Sequence, residues 1–461
     1  MDHSNCGCTR RQMVRSLVSG SLLLPGIISH LLSDEARGAS GDANPLAAKA
    51  PHFPGKAKRI IFLFMTGGVS HMDTFDPKPR LVADAEKGTL SPGGRPYMRP
   101  LWDFKPRAKC GTEVSDLFPH VGEMMDDICL IRSMRGDHND HFQATMGIHT
   151  GSVTFKRPSI GSWVSYGMGT ENQNLPSFVA LAPQMPYAGS QVWSSDFLPG
   201  AHQGTRVMAG DEPVPDLRRR APSAHIQERE LSLLERFNRK HLQSRATDPT
   251  LAARIKSFET AFGMQREMPE VLDLSKETDA TLKLYGLERG STKGFAWQCL
   301  VARRLAERGV RFIELIDVGS SNNWDAHGDM KTHAPLAKNV DQPIAGLLKD
   351  LKSRGMLDDT LVVWTTEFGR TPVTDGPEGR SHHNSAFSSW LAGGGVKGGI
   401  VYGKTDDYGG KVVENEVHVH DFHATILHLL GFDHEKLTFR HGGRDFRLTD
   451  VHGKVVKPLL K

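Results

Sequence analysis

The chain is short of cysteine, of long apolar runs and of charge of one sign, and each shortage excludes a class of protein. Of five cysteines, Cys6 and Cys8 lie near the start and Cys110, Cys129 and Cys299 beyond it. They form no CxxC pair, so neither a disulfide framework nor a thiolate zinc site is indicated. No stretch of about 18 uninterrupted apolar residues occurs, which leaves no permanent membrane span. The 57 basic and 53 acidic residues nearly balance, at a net charge of +4. No basic stripe marks nucleic acid as a partner. Any metal must therefore be held by carboxylate oxygen and imidazole nitrogen.

What is present begins with an address. Thr9-Arg10-Arg11-Gln12-Met13-Val14-Arg15 precedes a weakly apolar segment, Ser16 to Leu32, interrupted by Ser19, Gly20, Ser21 and Pro25, and then small residues at Ala39-Ser40. This resembles a twin-arginine export signal. The expectation is a signal over residues 1–40 read by the twin-arginine export machinery, a Pro/Gly-rich linker over 41–57, and a periplasmic or extracellular destination. Cargo of that route crosses already folded, which suits a protein with a loaded metal.

The remaining 58–461 reads as one α/β domain, for which 38% hydrophobic residues suffice. Lys58 to Met65 is the first core strand. Phe295 to Arg308 reads as a helix and Val310 to Asp317 as a strand. A helix follows through Leu336, Val340, Ile344, Leu347, Leu348 and Leu351, whose steps of three and four give an apolar face. Thr360 to Thr366 is β-branched and apolar without helical period. Ala386 to Leu391 reads as a strand and Asp421 to Leu430 as a helix stopped by Gly431. A helix feeding a buried strand implies a crossover and a mostly parallel sheet. Residues of about 208–290 differ: charged stretches with leucines at Leu231, Leu233, Leu234 and Leu242 suggest a helical insertion.

Polar clusters fall at the carboxyl ends of these strands, where open α/β sheets place their ligands. They are His71 and Asp73 after the first strand, Trp324-Asp325-Ala326-His327, Glu367-Phe368-Gly369-Arg370, and Gly379-Arg380-Ser381-His382-His383-Asn384. A further cluster, Arg135-Gly136-Asp137-His138-Asn139-Asp140-His141, precedes a helix ending near Thr150-Gly151. That helix start offers backbone donors to an anion, with His138 and Asn139 as substrate contacts. It equally fits an Asp/Asn cap with solvated histidines.

The order of Gly67-Gly68-Val69-Ser70-His71-Met72-Asp73-Thr74-Phe75-Asp76-Pro77-Lys78, Trp324-Asp325-Ala326-His327, Glu367-Phe368-Gly369-Arg370-Thr371-Pro372, Gly379-Arg380-Ser381-His382 and Ala392-Gly393-Gly394-Gly395 resembles the exported bacterial family known as domain of unknown function 1501. That family is grouped with the alkaline phosphatase and sulfatase superfamily of metal-dependent hydrolases and phosphotransferases. The resemblance implies an alkaline phosphatase-like fold, a three-layer sandwich around the parallel sheet. It puts Asp73 at the place of the first-strand metal aspartate, Asp325 with His327 at the later Asp/His pair, and His382 at the last histidine. Asp329 and His333 form an alternative pair at the usual spacing. Glu367 and Phe368 stand where superfamily members have an Asp-His pair, and Ser381 departs from the aspartate usual in this family.

Counting back from Thr150-Gly151 reaches Asp140, His141 and Phe142 rather than a hydroxyl or thiol, and Thr145 and Ser133 fit less well. His141 is either a covalent nucleophile or a group that binds metal or substrate. The expected activity is hydrolysis of a small anionic ester, or of a sulfated or phosphorylated glycan. One or two divalent ions (zinc, calcium, manganese or magnesium) would be held by Asp73, Asp325, His327, Glu367 and His382. Arg370 would grip a phosphate or sulfate oxygen, or else pair with Glu367. The Cys-x-Pro-x-Arg signature of ordinary sulfatases is absent from the sequence, which ranks phosphate esters first. Phe368, Ser381 and the missing hydroxyl favour the alternative, a noncatalytic exported binding protein.

Overall fold

The computed structural model describes residues 44–461 except 211, 216, 218–222 and 244–248. The expected export signal and the first residues of the linker lie outside the described residues. Among those described, no helix is long and apolar enough to cross a membrane.

A nine-stranded sheet organises the chain. Its strands are β1 (Arg59–Met65), β2 (Ile128–Arg135), β3 (Phe178–Leu181), β4 (Thr205–Val207), β5 (Phe312–Ile316), β6 (Thr360–Thr366), β9 (Phe387–Gly393), β10 (Ile400–Tyr402) and β11 (Val417–His418). The numbers between belong to a hairpin outside the sheet, β7 (Gly369–Asp375) and β8 (Gly379–His383). The spatial order is β10-β2-β9-β6-β1-β5-β3-β4, with β11 also on β2. All pairings are parallel except those of β9, which runs antiparallel to both neighbours.

Strand β1 shows why the sheet is central. Ile60 through Met65 are fully buried, as an unbroken apolar run must be when both faces of a parallel sheet are covered. Side chains alternate between two cores. Ile61, Leu63 and Met65 join one with Trp297, Leu300, Ile344 and Leu348. Ile60, Phe62 and Phe64 join the other with Trp163, Phe422 and Ile426. The helices supplying those partners are α3 (Ile160–Met168), α6 (Phe295–Glu307), α7 (His333–Ser353) and α8 (Val419–Leu429). Two helical layers thus sandwich the sheet. Truncating Leu63 to alanine would cost about 2–5 kcal/mol, the range for a buried leucine.

Two shorter helices carry site residues, α1 (His71–Thr74) and α2 (His141–Thr150), while α4 (Ala224–Gln243) and α5 (Pro249–Leu272) lie in the charged stretch between β4 and β5. Helix α2 starts where Asp140 Oδ1 accepts from Phe142 N at 3.0 Å, and it ends at Gly151 with φ +68°. The Asp/Asn cap is thus formed here. The hairpin β7–β8 is not apparent in the sequence, because its polar residues carry no alternating apolar pattern.

Candidate metal centre

Parallel order puts the ends of β1 and β6 side by side, with Met65 opposite Thr366. The chain then has to turn twice in a confined space. Gly67 has φ +114°, and a Cβ there would lie 2.7 Å from Asn323 Oδ1 and from the backbone nitrogens of Trp324 and Asp325. Only glycine lets the segment carrying Asp325 approach this closely.

Above that edge three histidines surround one carboxylate. His141 Nδ1 lies 2.8 Å from Glu367 Oε1. His327 Nδ1 is 2.7 Å from Asp375 Oδ2, and His382 Nδ1 is 2.7 Å from the carbonyl oxygen of Asn139. All three partners are acceptors, and a proton on each Nδ1 satisfies them and leaves each Nε2 free to ligate a cation. The Nε2 atoms converge on Asp325. His141 Nε2 is 3.2 Å from Oδ2 and forms no hydrogen bond there. His327 and His382 each place Nε2 3.1 Å from Oδ1, and these two Nε2 atoms are 2.8 Å apart. Donor atoms of His141, Asp325 and His382 lie within 4.8 Å of one another.

The electrostatics agree with a site built for positive charge. Burial lowers the pKa of His141, but close contact with the carboxylates of Asp325 and Glu367 outweighs it and lifts the value to about 9. Burial works against the Asp325 carboxylate, yet His141, His382 and Arg370 together hold it well below the usual carboxylate range. The two carboxylates thus favour positive charge at this point, carried by an imidazolium or by a cation.

Glu367 stands behind His141 rather than among the Nε2 atoms. Its Oε1 also accepts from Gly67 N at 2.8 Å, and its Oε2 accepts from Thr366 Oγ1 at 3.0 Å. Arg370 is fully buried and every nitrogen is engaged. Nε donates to the Gly68 carbonyl at 2.7 Å, Nη1 to the Arg380 carbonyl at 3.1 Å, and Nη2 to the carbonyls of Gly67 and Trp324 and to Asp325 Oδ1. These contacts turn the guanidinium toward the backbone and Asp325, and the ion pair is with Asp325, not Glu367.

Asp73 does not join the cluster. Its Oδ2 accepts from Arg380 Nε at 2.9 Å and Ser70 Oγ at 2.6 Å, and its Oδ1 from Leu101 N at 3.1 Å. Both Asp73 and Arg380 are fully buried, so this carboxylate serves a structural ion pair. The alternative pair Asp329 and His333 is also not brought together. Asp329 caps a short turn at Lys331 N, and His333 is buried with Nε2 accepting from Ser70 N. Asn139 contributes its backbone oxygen through an exposed residue, and His138 borders a pocket that Glu367 also lines.

Two contributors were not singled out in the sequence. Asp375 and Tyr187 lie in no motif of the sequence. The Tyr187 ring lies on His141, centroids 4.0 Å apart and nearly parallel, while Phe368 packs against His141 and His382 at 4.9 and 4.6 Å. Aromatic walls thus fix two of the three imidazoles.

The family model described as "Protein of unknown function (DUF1501)" matches residues 57–460. No protein of curated function matches the sequence. Among solved structures, the chain is similar to the sulfatase PsFucS1 from Pseudoalteromonas at 12% identity and TM-score 0.35, covering 82% of this chain and 69% of that one. It is similar to the phosphonate monoester hydrolase SpPMH from Silicibacter pomeroyi at 11% identity and TM-score 0.37, covering 87% and 76%. The alkaline phosphatase of the Antarctic bacterium TAB5 overlaps at 12% identity and TM-score 0.33, covering 74% and 92%. Overlaps of this size carry no information about reaction or substrate.

Proposed function

The chain belongs to the DUF1501 family, and within it we propose that this protein is an exported, metal-dependent hydrolase of phosphate or sulfate esters. One observation carries the reading: three imidazoles, each with its Nδ1 against an acceptor, converge their Nε2 atoms on one carboxylate. Such a cluster of nitrogen and oxygen donors suits a proton or a cation held among them. Partners that hold the far nitrogen of a ligating histidine are the usual second layer of a metal site.

Nitrogen-rich donors suit zinc better than calcium or magnesium, which take oxygen. His141, Asp325, His327 and His382 would hold the ion, and Glu367, Asp375 and the Asn139 carbonyl would aim three of them. A bound cation there lowers the pKa of water and offsets charge on ester oxygens. Arg370, pinned by carbonyls, positions Asp325. His141 is a ligand in this reading and not a nucleophile, since both its nitrogens are committed. The open side of the site lies at His327, whose side chain is 43% exposed, and His138 and Asn139 border the approach for an anionic ester.

The test is elemental analysis of the purified protein, with turnover of phosphate and sulfate ester panels before and after chelation. Stoichiometric zinc and chelator-sensitive turnover are expected. Metal content undiminished in Asp325→Ala would overturn the reading. The buried Arg370, held by backbone carbonyls, favours one alternative, a noncatalytic metal-holding binding protein, and bound zinc with no turnover across the panels would select it.

A further inference from the structure

A second group of donors lies beyond the segment Gly136–His141. Asp137, His418 and His420 bring one carboxylate oxygen and two imidazole nitrogens within 4.8 Å of one another. Strand pairing enforces the meeting: β11 runs parallel to the end of β2, with His418 opposite Arg135. His420 is 7% exposed, and its Nδ1 is buried without a hydrogen-bond partner. A buried polar nitrogen without a partner is destabilising, so it calls for one. The ring lines a pocket shared with Asp137, His138 and Glu367. The imidazole of His452 packs on it at a centroid distance of 5.1 Å, the same as that of His418.

We propose that Asp137, His418 and His420 form a second site for a divalent transition-metal cation of the zinc class, separate from the site around Asp325. Two nitrogens and a carboxylate are donors that zinc accepts, with a coordination position left open. His418 Nε2 now sits 2.9 Å from Asp137 Oδ1, a contact closed by the ring proton. Its Nδ1 accepts the long 3.3 Å bond from His420 N. The cation takes the place of the Nε2 proton, that proton moves to Nδ1, and the capping bond is given up. The other arm of the cap, from His418 N to Asp421 Oδ2 at 3.2 Å, is kept. Exchange of a bond makes this the weaker of the two sites. Its occupant ties the loop before α2 to the start of α8, and so braces the segment that delivers His141 and the Asn139 carbonyl.

The experiment is metal stoichiometry on the full chain, stripped with chelator and titrated with zinc chloride, with anomalous scattering at the zinc edge to place each ion. Two ions per chain are expected, the second released at about tenfold lower chelator strength. Asp137→Ala combined with His420→Ala should leave one ion at Asp325, and Asp325→Ala should leave one at His418. Circular dichroism checks that each variant is folded. A single ion in the wild type, or two ions undiminished in the Asp137/His420 variant, overturns the second site while leaving the first intact. Loss of the first ion alone from the Asp325 variant would support both sites separately.

Discussion

His327 and His382 face each other through their Nε2 atoms at 2.8 Å, while each Nδ1 rests on an acceptor, Asp375 Oδ2 for one and the Asn139 carbonyl for the other. With Asp325 Oδ1 3.1 Å from both Nε2 atoms, three electron-rich atoms meet where a shared proton or a metal ion offsets their repulsion.

The carboxylate of Asp375 backs the His327 ring at 2.7 Å from Nδ1 and favours the tautomer that leaves Nε2 free to ligate. Asp375→Ala should weaken zinc binding about 10- to 100-fold, as is usual for lost outer partners of ligating histidines. Asp375→Asn, which retains an acceptor oxygen, should restore much of it. Competition with a chromophoric chelator measures both. Equal affinity in all three proteins would remove Asp375 from the site.

Asp73 should behave differently from Asp325. Because Asp73 and Arg380 form a fully buried pair, Asp73→Ala leaves an uncompensated charge and should cost about 3–5 kcal/mol. Metal content of the folded variant should be unchanged. The double substitution Asp73→Leu with Arg380→Met should recover part of the loss. Denaturant titration and elemental analysis together check this.

Acid should destabilise the fold through histidines away from the metal centre. Burial lowers His71 from 6.5 to about 4, and His202, His333 and His423 to about 3. Above pH 6.5 these rings are neutral in both folded and unfolded chains, so their contribution is fully present. As pH falls toward 4 the unfolded chain takes up protons that the folded chain refuses. Stability should drop by about 1 kcal/mol per histidine per pH unit in that window. Melting curves from pH 7 to pH 4.5 test the slope, and His423→Gln should make it shallower.

Gly67→Ala should damage the site from behind. The new methyl group meets backbone nitrogen at 2.7 Å in a left-handed conformation, a strain of about 1–3 kcal/mol. Asp325 moves with that backbone, so zinc affinity and melting temperature should fall together. An unchanged zinc affinity would show that the loop around Asp325 adjusts independently.

Local patterns in the sequence carried much of the fold. Thr360–Thr366 is legible to the residue because a β-branched run is bounded by two aspartates and a glutamate. The amphipathic spacing of Leu336 to Leu351 likewise marks the long helix His333–Ser353. The site residues were harder, because their roles depend on partners far along the chain. Asp73 reads as a ligand until Arg380, 307 residues away, is seen to occupy it. Arg370 reads as an anion grip until four carbonyl oxygens close around it. No local pattern distinguishes Asp375 from any other acid in a turn.

The residues around the centre come from distant parts of the chain. Glu367 and His141 are 226 residues apart, and His382 and Asp325 are 57 apart. A captured cation would staple these segments together, shrinking the freedom of the unfolded chain as a covalent bridge does. The described cysteines Cys110, Cys129 and Cys299 are free thiols, so a metal staple would provide long-range fastening that no sulfur bridge among them supplies.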